Sequence, residues 1–520
     1  MVIPALAVIA SAVVKDAAGP CWFGDRNDPD YAYLLNSVNI AEGRAPRHTD
    51  HPGTTVQELG AGVLLAQGVL SGGPASVTDR VLDNPESALS AIRVVLVAMV
   101  FGALTWFGLA ALRFTGSVWC GLAAQALPLA SFTVLVSLHR VTPEPLLLAI
   151  SLALGAVMLG GLSRDGAVGT RYGVGSAVVS ALGLATKVTF VPVLLVPVGL
   201  LWRGGGRGWR LRGLFVLTFA VSLVLALTPV LGQWKRVLGW MLYLSKTSGS
   251  YVEGFHPVAF DVGSYARTLL ALASAEPVSV VCAVSGLAVA AWCLGRRGWK
   301  GLDARARSLV VSLVAVSVAE VLQFLMVARH PEPRYLIPGI GLCGVSFCLM
   351  SALVRANGPK WSGRTGAGVA AVAVVIAVLW TAQQLQTGLH MIRADTSGRR
   401  VVAAAADAAI KNGGIVISTY GASSPAGALY LGNDWAGNGY TEAIARRHPG
   451  EAQLDIWQRL FRRGNVLVQL DDVMAWARQG RLYFQGAPHM RPAGFQYRAL
   501  TPEDAAAPEV LYKVSTSGGP

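Results

Sequence analysis

The sequence predicts a polytopic α-helical membrane protein with interfacial helices in its first outer loop and a small soluble α/β domain at its C-terminus. Three observations predict this. Of the 520 residues, 53% are hydrophobic and 14% charged, and the mean hydropathy is +0.50, which places the chain in the integral-membrane class. Apolar runs of about 20 residues, the helical length that crosses about 30 Å of hydrocarbon, recur over the first three quarters of the sequence. Beyond residue 388 the chain turns polar and mixed in charge.

Eleven spans are expected, near 2–14, 88–110, 117–139, 144–162, 173–186, 188–202, 213–231, 277–295, 308–328, 335–354 and 366–386. Gly and Pro occur inside them, as membrane helices allow. The first is short, because Lys15 interrupts it after about 13 apolar residues, or about 20 Å of helix. Either Lys15 snorkels, or the true start lies upstream, or the segment is a signal peptide without a basic n-region. Residues 15–87 then form the first outer loop. It holds an amphipathic stretch from Tyr31 to Ala41 and an apolar one from Thr54 to Leu70 that contains Gln57 and Glu58. Placing the second stretch in the interface preserves the alternation of charge between loops.

The segment 232–275 reads as a long outer loop mixing Tyr243, Lys246, Tyr251, Glu253, Phe255 and His256 with Gly and Ser. The membrane domain is expected to run over 1–387 and the soluble domain over 388–520. In the latter, Ser397 to Ile410 reads as a helix, Ile415 to Ser418 and Val466 to Leu470 as buried strands, and Ile456 to Phe461 as a helix. Gly413-Gly414 and Gly464 punctuate them.

The net charge of +14 is a topology signal. Lys and Arg gather in alternate loops, with Arg113, Arg164, Arg171, Arg203, Arg207, Arg210, Arg212, Arg296, Arg297, Lys300, Arg305, Arg307, Arg355, Lys360 and Arg364 on one side. The opposite side holds Arg140, Lys187, Arg329 and Arg334. By the positive-inside rule the rich side is cytoplasmic, so the bilayer is the partner implied and a nucleic acid is not. The first loop and the C-terminal domain are then expected on the periplasmic or extracellular side of a cell inner membrane. A Walker loop, a dinucleotide-binding glycine pattern and an internal repeat are all lacking, which removes a nucleotide-driven pump. Five of six cysteines fall in spans and only Cys21 near the outer surface, so neither a disulfide framework nor a Cys-based metal site is expected.

Carboxylates are cheapest where water reaches them, and the first outer loop carries Asp25, Asp28 and Asp30, then Asp50-His51-Pro52-Gly53. Asp30 has a structural reading as an N-cap, contributing about 1 kcal/mol. The functional reading makes an acid of this group a general base for an attacking hydroxyl, or a ligand for a divalent cation. Cations expected at the same membrane level are Lys187, Arg334, Arg140 and Arg329, with His330 beside them; Arg can grip phosphate oxygens in bidentate fashion. Snorkelling is the structural alternative for each. Glu144 and Glu332 are bracketed by prolines, and the helix dipole suffices to explain Glu144. Glu320 lies deep in an apolar span, so a polar partner within the bundle is expected.

These residues resemble the GT-C glycosyltransferases that take sugars from polyprenyl-phosphate carriers, among them protein O-mannosyltransferases and lipid A aminoarabinose transferases. Asp28-Pro29-Asp30-Tyr31, Gly43 and Asp50-His51-Pro52-Gly53 are similar to the order of the family's first loop. Arg140 to Pro145, Gly183-Leu184-Ala185-Thr186-Lys187 and His330 to Pro338 resemble its later outer turns. The family's acidic pair is contiguous, whereas Pro29 splits it here, and Pro-Gly follows His51 where Pro-Pro is commoner. The resemblance covers residues 1–390 and implies a GT-C-like fold of about eleven transmembrane helices. It implies Asp28, Asp30 and His51 as catalytic residues, with Asp28 preferred as base. Lys187, Arg334, Arg140, His330, Tyr31 and Asp50 are the implied sites for lipid phosphate or sugar. The implied partners are a polyprenyl-phosphate-linked sugar donor and an unknown acceptor.

Such chemistry asks acids of the first loop and bases from two distant helix ends to meet in one pocket. Two other readings stay open. A transporter or flippase for a polar lipid or solute would place ionisable groups near the midplane, as Glu320 and the broken pair over 173–202 do. A lipid-linked oligosaccharide ligase or polymerase would have a divalent cation as its cofactor, with Asp28, Asp30, Asp50 and His51 as hard ligands. Their spacing matches no recognised metal signature.

Overall fold

The computed structural model describes residues 1–24, 27–50, 53–72, 75–162, 169–202, 208–248, 256–257, 261–357, 363–419, 421–455, 460–463, 466–503 and 509–516. The chain packs into two units, one of residues 1–12, 49–56 and 94–386, the other of 13–48, 57–93 and 387–520.

The first unit is a helical bundle. Among the described residues of the whole chain, seven helices are long and apolar enough to cross a membrane: Pro85–Thr115, Pro143–Leu162, Gly208–Ala226, Pro277–Gly301, Ala304–Val327, Pro333–Ala356 and Thr365–Lys411. The first expected span is one helix of 17 residues, Val2–Ala18, and the rest are short helices and 3₁₀ pieces. Residues 117–139 form Val118–Ala126, a 3₁₀ turn at Leu127–Ala130 and Phe132–Ser137, because the Ser131 hydroxyl caps the last piece by accepting from the amide of Val134. Thr170–Thr186 ends where Lys187 turns extended, and the chain re-enters as the 3₁₀ segment Val188–Leu195 and the helix Val196–Trp202.

Helix Pro143–Leu162 is buried along nearly its whole length, so its all-round apolar sequence meets protein on every side. The segment 232–275, expected as a loop, contains helices Trp234–Lys246 and Val262–Ala275. The second is started by Asp261, whose carboxylate accepts from the amides of Gly263 and Ser264. Of the six residues singled out there, Tyr251, Glu253 and Phe255 lie outside the described residues.

The second unit is built on a seven-stranded mixed sheet in the order Val466–Val468, Leu460–Arg463, Glu451–Asp455, Ile415–Ser418, Leu482–Gly486, Val510–Thr516, Phe495–Ala499. Ile415–Ser418 is central and parallel to both neighbours; the remaining pairs are antiparallel. Side chains alternate across it as the pleat requires. Ile415, Ile417, Leu482, Phe484 and Tyr512 enter one core, and Val416 and Leu511 pack on Val402, Ala406 and Ala409 on the other face. The expected helix from Ile456 to Phe461 is corrected by this sheet. Leu460–Arg463 is a strand with antiparallel partners on both sides, which satisfy the backbone of a run too short to be stable as helix; residues 456–459 lie outside the described ones.

The last expected span and the helix after it are one helix, Gly363–Lys411, of 49 residues. Its interior holds glycines at 366, 368, 388 and 398 but no proline, so the ladder of backbone hydrogen bonds continues past the change in composition.

First-loop helices complete the second unit. Asn27–Ala41 packs on Pro425–Trp435, where Asn36 Nδ2 donates to the carbonyl of Trp435 (3.2 Å) and Asn39 Nδ2 to that of Ala436 (3.0 Å). Tyr440 donates its hydroxyl to Asn39 Oδ1 (2.8 Å).

Candidate functional site

In the bundle, the break after Thr186 delivers Lys187 to the start of helix Pro143–Leu162. Its Nζ lies 2.6 Å from Glu144 Oε1, and both side chains are almost fully buried, at 4% and 1% exposure. The ammonium also sits 4.0 Å from the centre of the Tyr335 ring, whose π face attracts a desolvated cation. Arg334 acts electrostatically on both Glu144 and Lys187. It stays 31% exposed, with Nε 3.7 Å from Glu332 Oε2.

Gln323 holds this arrangement from one turn beyond Glu320. Its Nε2 donates to the carbonyls of Thr189 (3.0 Å) and Tyr335 (2.6 Å), tying the strand-like break to the Arg334-Tyr335 turn. The start of helix Thr54–Ser71 reaches the same place. Thr54 Oγ1 donates to the carbonyl of Ala185 (3.3 Å), and the hydroxyls of Thr55 and Thr186 are 2.7 Å apart. Asp50 itself is buried.

In the second unit, the backbone of Asp28 is extended and the helix proper runs on from Pro29. Asp28, not Asp30, therefore holds the cap position, and proline suits the first helical residue. Asp28 is half-buried. Asp30 falls within the first turn and is buried, at 1% exposure. Next to it Tyr31 donates to Glu86 Oε1 (3.1 Å), which also accepts from the amide of Cys21 (2.9 Å). Burial, with Asp30 and Glu86 nearby, pushes the Cys21 thiol far up. Burial and the Glu86 carboxylate do the same to the Tyr31 phenol.

The structure thus places Lys187, Arg334 and Asp50 in one unit, and Asp28, Asp30 and Tyr31 in the other. Arg140 is half-buried three residues before Pro143. His330 donates from Nε2 to the carbonyl of Leu244 (3.1 Å). His51 lies outside the described residues. Among the described residues no group of three or more His, Cys, Asp or Glu is placed to hold a metal ion.

The sequence reading missed the partners. Glu144 is more than a helix-dipole carboxylate, since it neutralises Lys187. The signal was present, because each is a lone charge at the polar end of an apolar run. Gln323, Glu86 and the Tyr335 ring had no comparable signal. The partner expected for Glu320 is Ser346, which donates its hydroxyl to Oε2 (3.1 Å).

No protein-family model matches the chain, and no curated protein matches it. Solved structures do. ArnT from Cupriavidus metallidurans bound to undecaprenyl phosphate is similar over 100% of this chain and 98% of its own, with a TM-score of 0.54 and 15% identity. Its apo form has the same coverage and TM-score at 14% identity. The oligosaccharyltransferase of Archaeoglobus fulgidus, in complex with Zn and sulfate, has a TM-score of 0.41 and 11% identity over 74% of this chain and 53% of its own. The fold is similar to that of ArnT over the whole chain.

Two measurements check this geometry. Glu144→Gln leaves a buried ammonium without its counter-charge, and we expect a loss of about 3–5 kcal/mol, whereas Glu144→Leu combined with Lys187→Met restores most of it; thermal unfolding in detergent reads both. A thiol held protonated has few thiolates at pH 8. In peptide-mapped alkylation, Cys21 is therefore expected to stay unmodified in the folded protein at that pH and to react fully once denatured.

Proposed function

We propose that this chain is an integral-membrane glycosyltransferase that moves a sugar from a polyprenyl-phosphate donor to an acceptor on the outer face of the inner membrane, inverting the anomeric centre. Full-length similarity in fold to a protein crystallised with undecaprenyl phosphate carries the proposal. The buried Lys187–Glu144 pair beside Arg334 and Tyr335 supports it.

A sugar on a lipid phosphate already has a good leaving group. The enzyme has two tasks, to take the proton of the acceptor hydroxyl and to stabilise the charge growing on the departing phosphate. In this reading Arg334 and Lys187 do the second. Lys187 would act from beside Glu144, and Arg334 from the more exposed margin of the same cluster, where its planar fork suits phosphate oxygens. The Asp50 turn, His330 and Arg140 border the donor, and Tyr31 supports the acid-bearing helix.

Asp28 is the general base, assisted by Asp30 or His51. Its partial exposure suits a group that must meet an incoming hydroxyl, and the burial of Asp30 suits a supporting one. The lone pair taken up by the C–O bond comes from the acceptor oxygen, whose proton passes to Asp28 as the phosphate leaves with the bonding electrons.

Purified protein incubated with a panel of undecaprenyl-phosphate-linked sugars and candidate acceptors should release undecaprenyl phosphate, detected by mass spectrometry. Asp28→Asn should lower turnover by about 10²–10⁴-fold, the usual worth of a general base, without changing thermal stability. Turnover at the wild-type rate in that variant would remove Asp28 from the role.

A further inference from the structure

We infer that the C-terminal sheet is a positioning device for the acidic loop, with Arg399 as its principal positioning residue. The inference rests on the transferase reading for what the loop does, and on the geometry of the second unit alone for how it is held.

Four observations carry it, the first being strand order. Ile415–Ser418 runs parallel to Glu451–Asp455 on one side and Leu482–Gly486 on the other, so the chain leaves it in one direction and later returns on the other. In open parallel sheets, the crevice beyond the carboxyl ends of strands at such a reversal is where ligands bind. Here the segment that follows Ser418 is pinned within the sheet domain. Ser423 donates its amide to Glu509 Oε2 (2.7 Å), and Gln485 Nε2 donates to the carbonyl of Ser423 (3.0 Å) and to Glu509 Oε2 (3.2 Å).

Second, what meets this crevice is the chain's own first loop, because the amide of Gly24 donates to Ser423 Oγ (3.1 Å). Third, Arg399 covers the same glycine. Its guanidinium is anchored by Asp395, with Nε 3.0 and 2.9 Å from the two carboxylate oxygens, and Nη1 lies 3.5 Å from the carbonyl of Gly421. The group presses so closely that a Cβ on Gly24 would lie 1.9 Å from Nη1, and Gly24 has φ of +56°. Only glycine meets both demands without strain.

Fourth, the domain also grips the loop beyond its acids. Gly432 packs against the backbone of Tyr31, where an added Cβ would lie 2.5 Å from the Tyr31 carbonyl oxygen, and Asn36 and Asn39 donate to the end of the same helix. Asp28 and Asp30 thus stand between two clamps, Arg399 and Ser423 at Gly24, and Gly432 at Tyr31. Both clamps act on backbone, at Gly24 and at Tyr31. Their effect is on where the carboxylates stand, and a misplacement of about 1 Å in a reacting group lowers turnover by about 10²-fold.

The test uses the full-length protein as Arg399→Ala, Arg399→Lys, Gly24→Ala and the pair Gly24→Ala with Arg399→Ala, with the exposed Lys411→Ala as control. Two readouts are taken. One is kcat and KM for whichever undecaprenyl-phosphate-linked sugar the wild type turns over, and the other is hydrogen exchange of residues 19–41 against that of strand 482–486. Arg399→Ala should lower kcat by about 10²-fold with KM within about twofold, speed exchange in the loop and leave the strand unchanged. Arg399→Lys should recover part of the loss. The pair should lose less than the product of its single losses, because removing the guanidinium gives the new methyl room.

Unchanged kcat and loop exchange in Arg399→Ala, or a KM increase in place of the kcat loss, overturns the inference. If the wild type turns over no sugar, the transferase reading falls, and the exchange data alone then decide whether Arg399 holds the loop.

Discussion

The structure of the bundle depends on one buried ion pair. Lys187 and Glu144 are both deep enough that either alone would be a charge without solvent, and a lone charge in such surroundings is destabilising by several kcal/mol. Each requires the other, and that requirement fixes more than two side chains. Lys187 sits where Thr170–Thr186 gives way to a 3₁₀ segment, and Glu144 begins the most enclosed helix of the unit. Bringing them together sets the depth of one helix against the other. Tyr335 closes over the ammonium, Gln323 binds the carbonyl of Tyr335 and that of Thr189, and Thr54 and Thr55 join the end of the Lys187 helix.

The pair also explains how an ammonium is held in apolar surroundings. A charge-neutral pair carries no net penalty of the size a lone ammonium would. Arg334, 31% exposed, is the outermost member of the set. In the second unit the design is different: carboxylates are held by backbone and by a soluble sheet, at Gly24 on one side and Tyr31 on the other. Rigid support from regular structure is the general condition for a precise site.

Much of this was legible in the sequence. Hydropathy runs marked the helical class and Gly183 to Lys187 the break that the structure shows at Lys187; strands were expected at 415–418, where one is found, and at 466–470, where the strand stops at Val468 and helix Leu470–Arg478 follows. What could not be read were features made by tertiary contact. The helix Gly363–Lys411 runs through the compositional boundary because no proline stops it. The strand at Leu460 depends on partners on both sides, and residues 234–246 and 262–275 are helical where turn-forming residues suggested a loop. Lys187 and Arg334 were legible as charges at the polar ends of apolar runs, and Asp28 and Asp30 as acids of the first loop. Pairings were not, since nothing in one sequence links Glu144 to Lys187 across 43 positions, or Gly24 to Ser423 across 399.

The central claim, that the charge pair is the seat of a lipid phosphate as well as a structural tie, is tested most directly by native mass spectrometry of the wild type and of the Glu144→Leu, Lys187→Met double variant in the presence of undecaprenyl phosphate. The account predicts a folded variant that no longer retains the lipid phosphate adduct held by the wild type. A folded variant that retains the adduct at wild-type occupancy would contradict it.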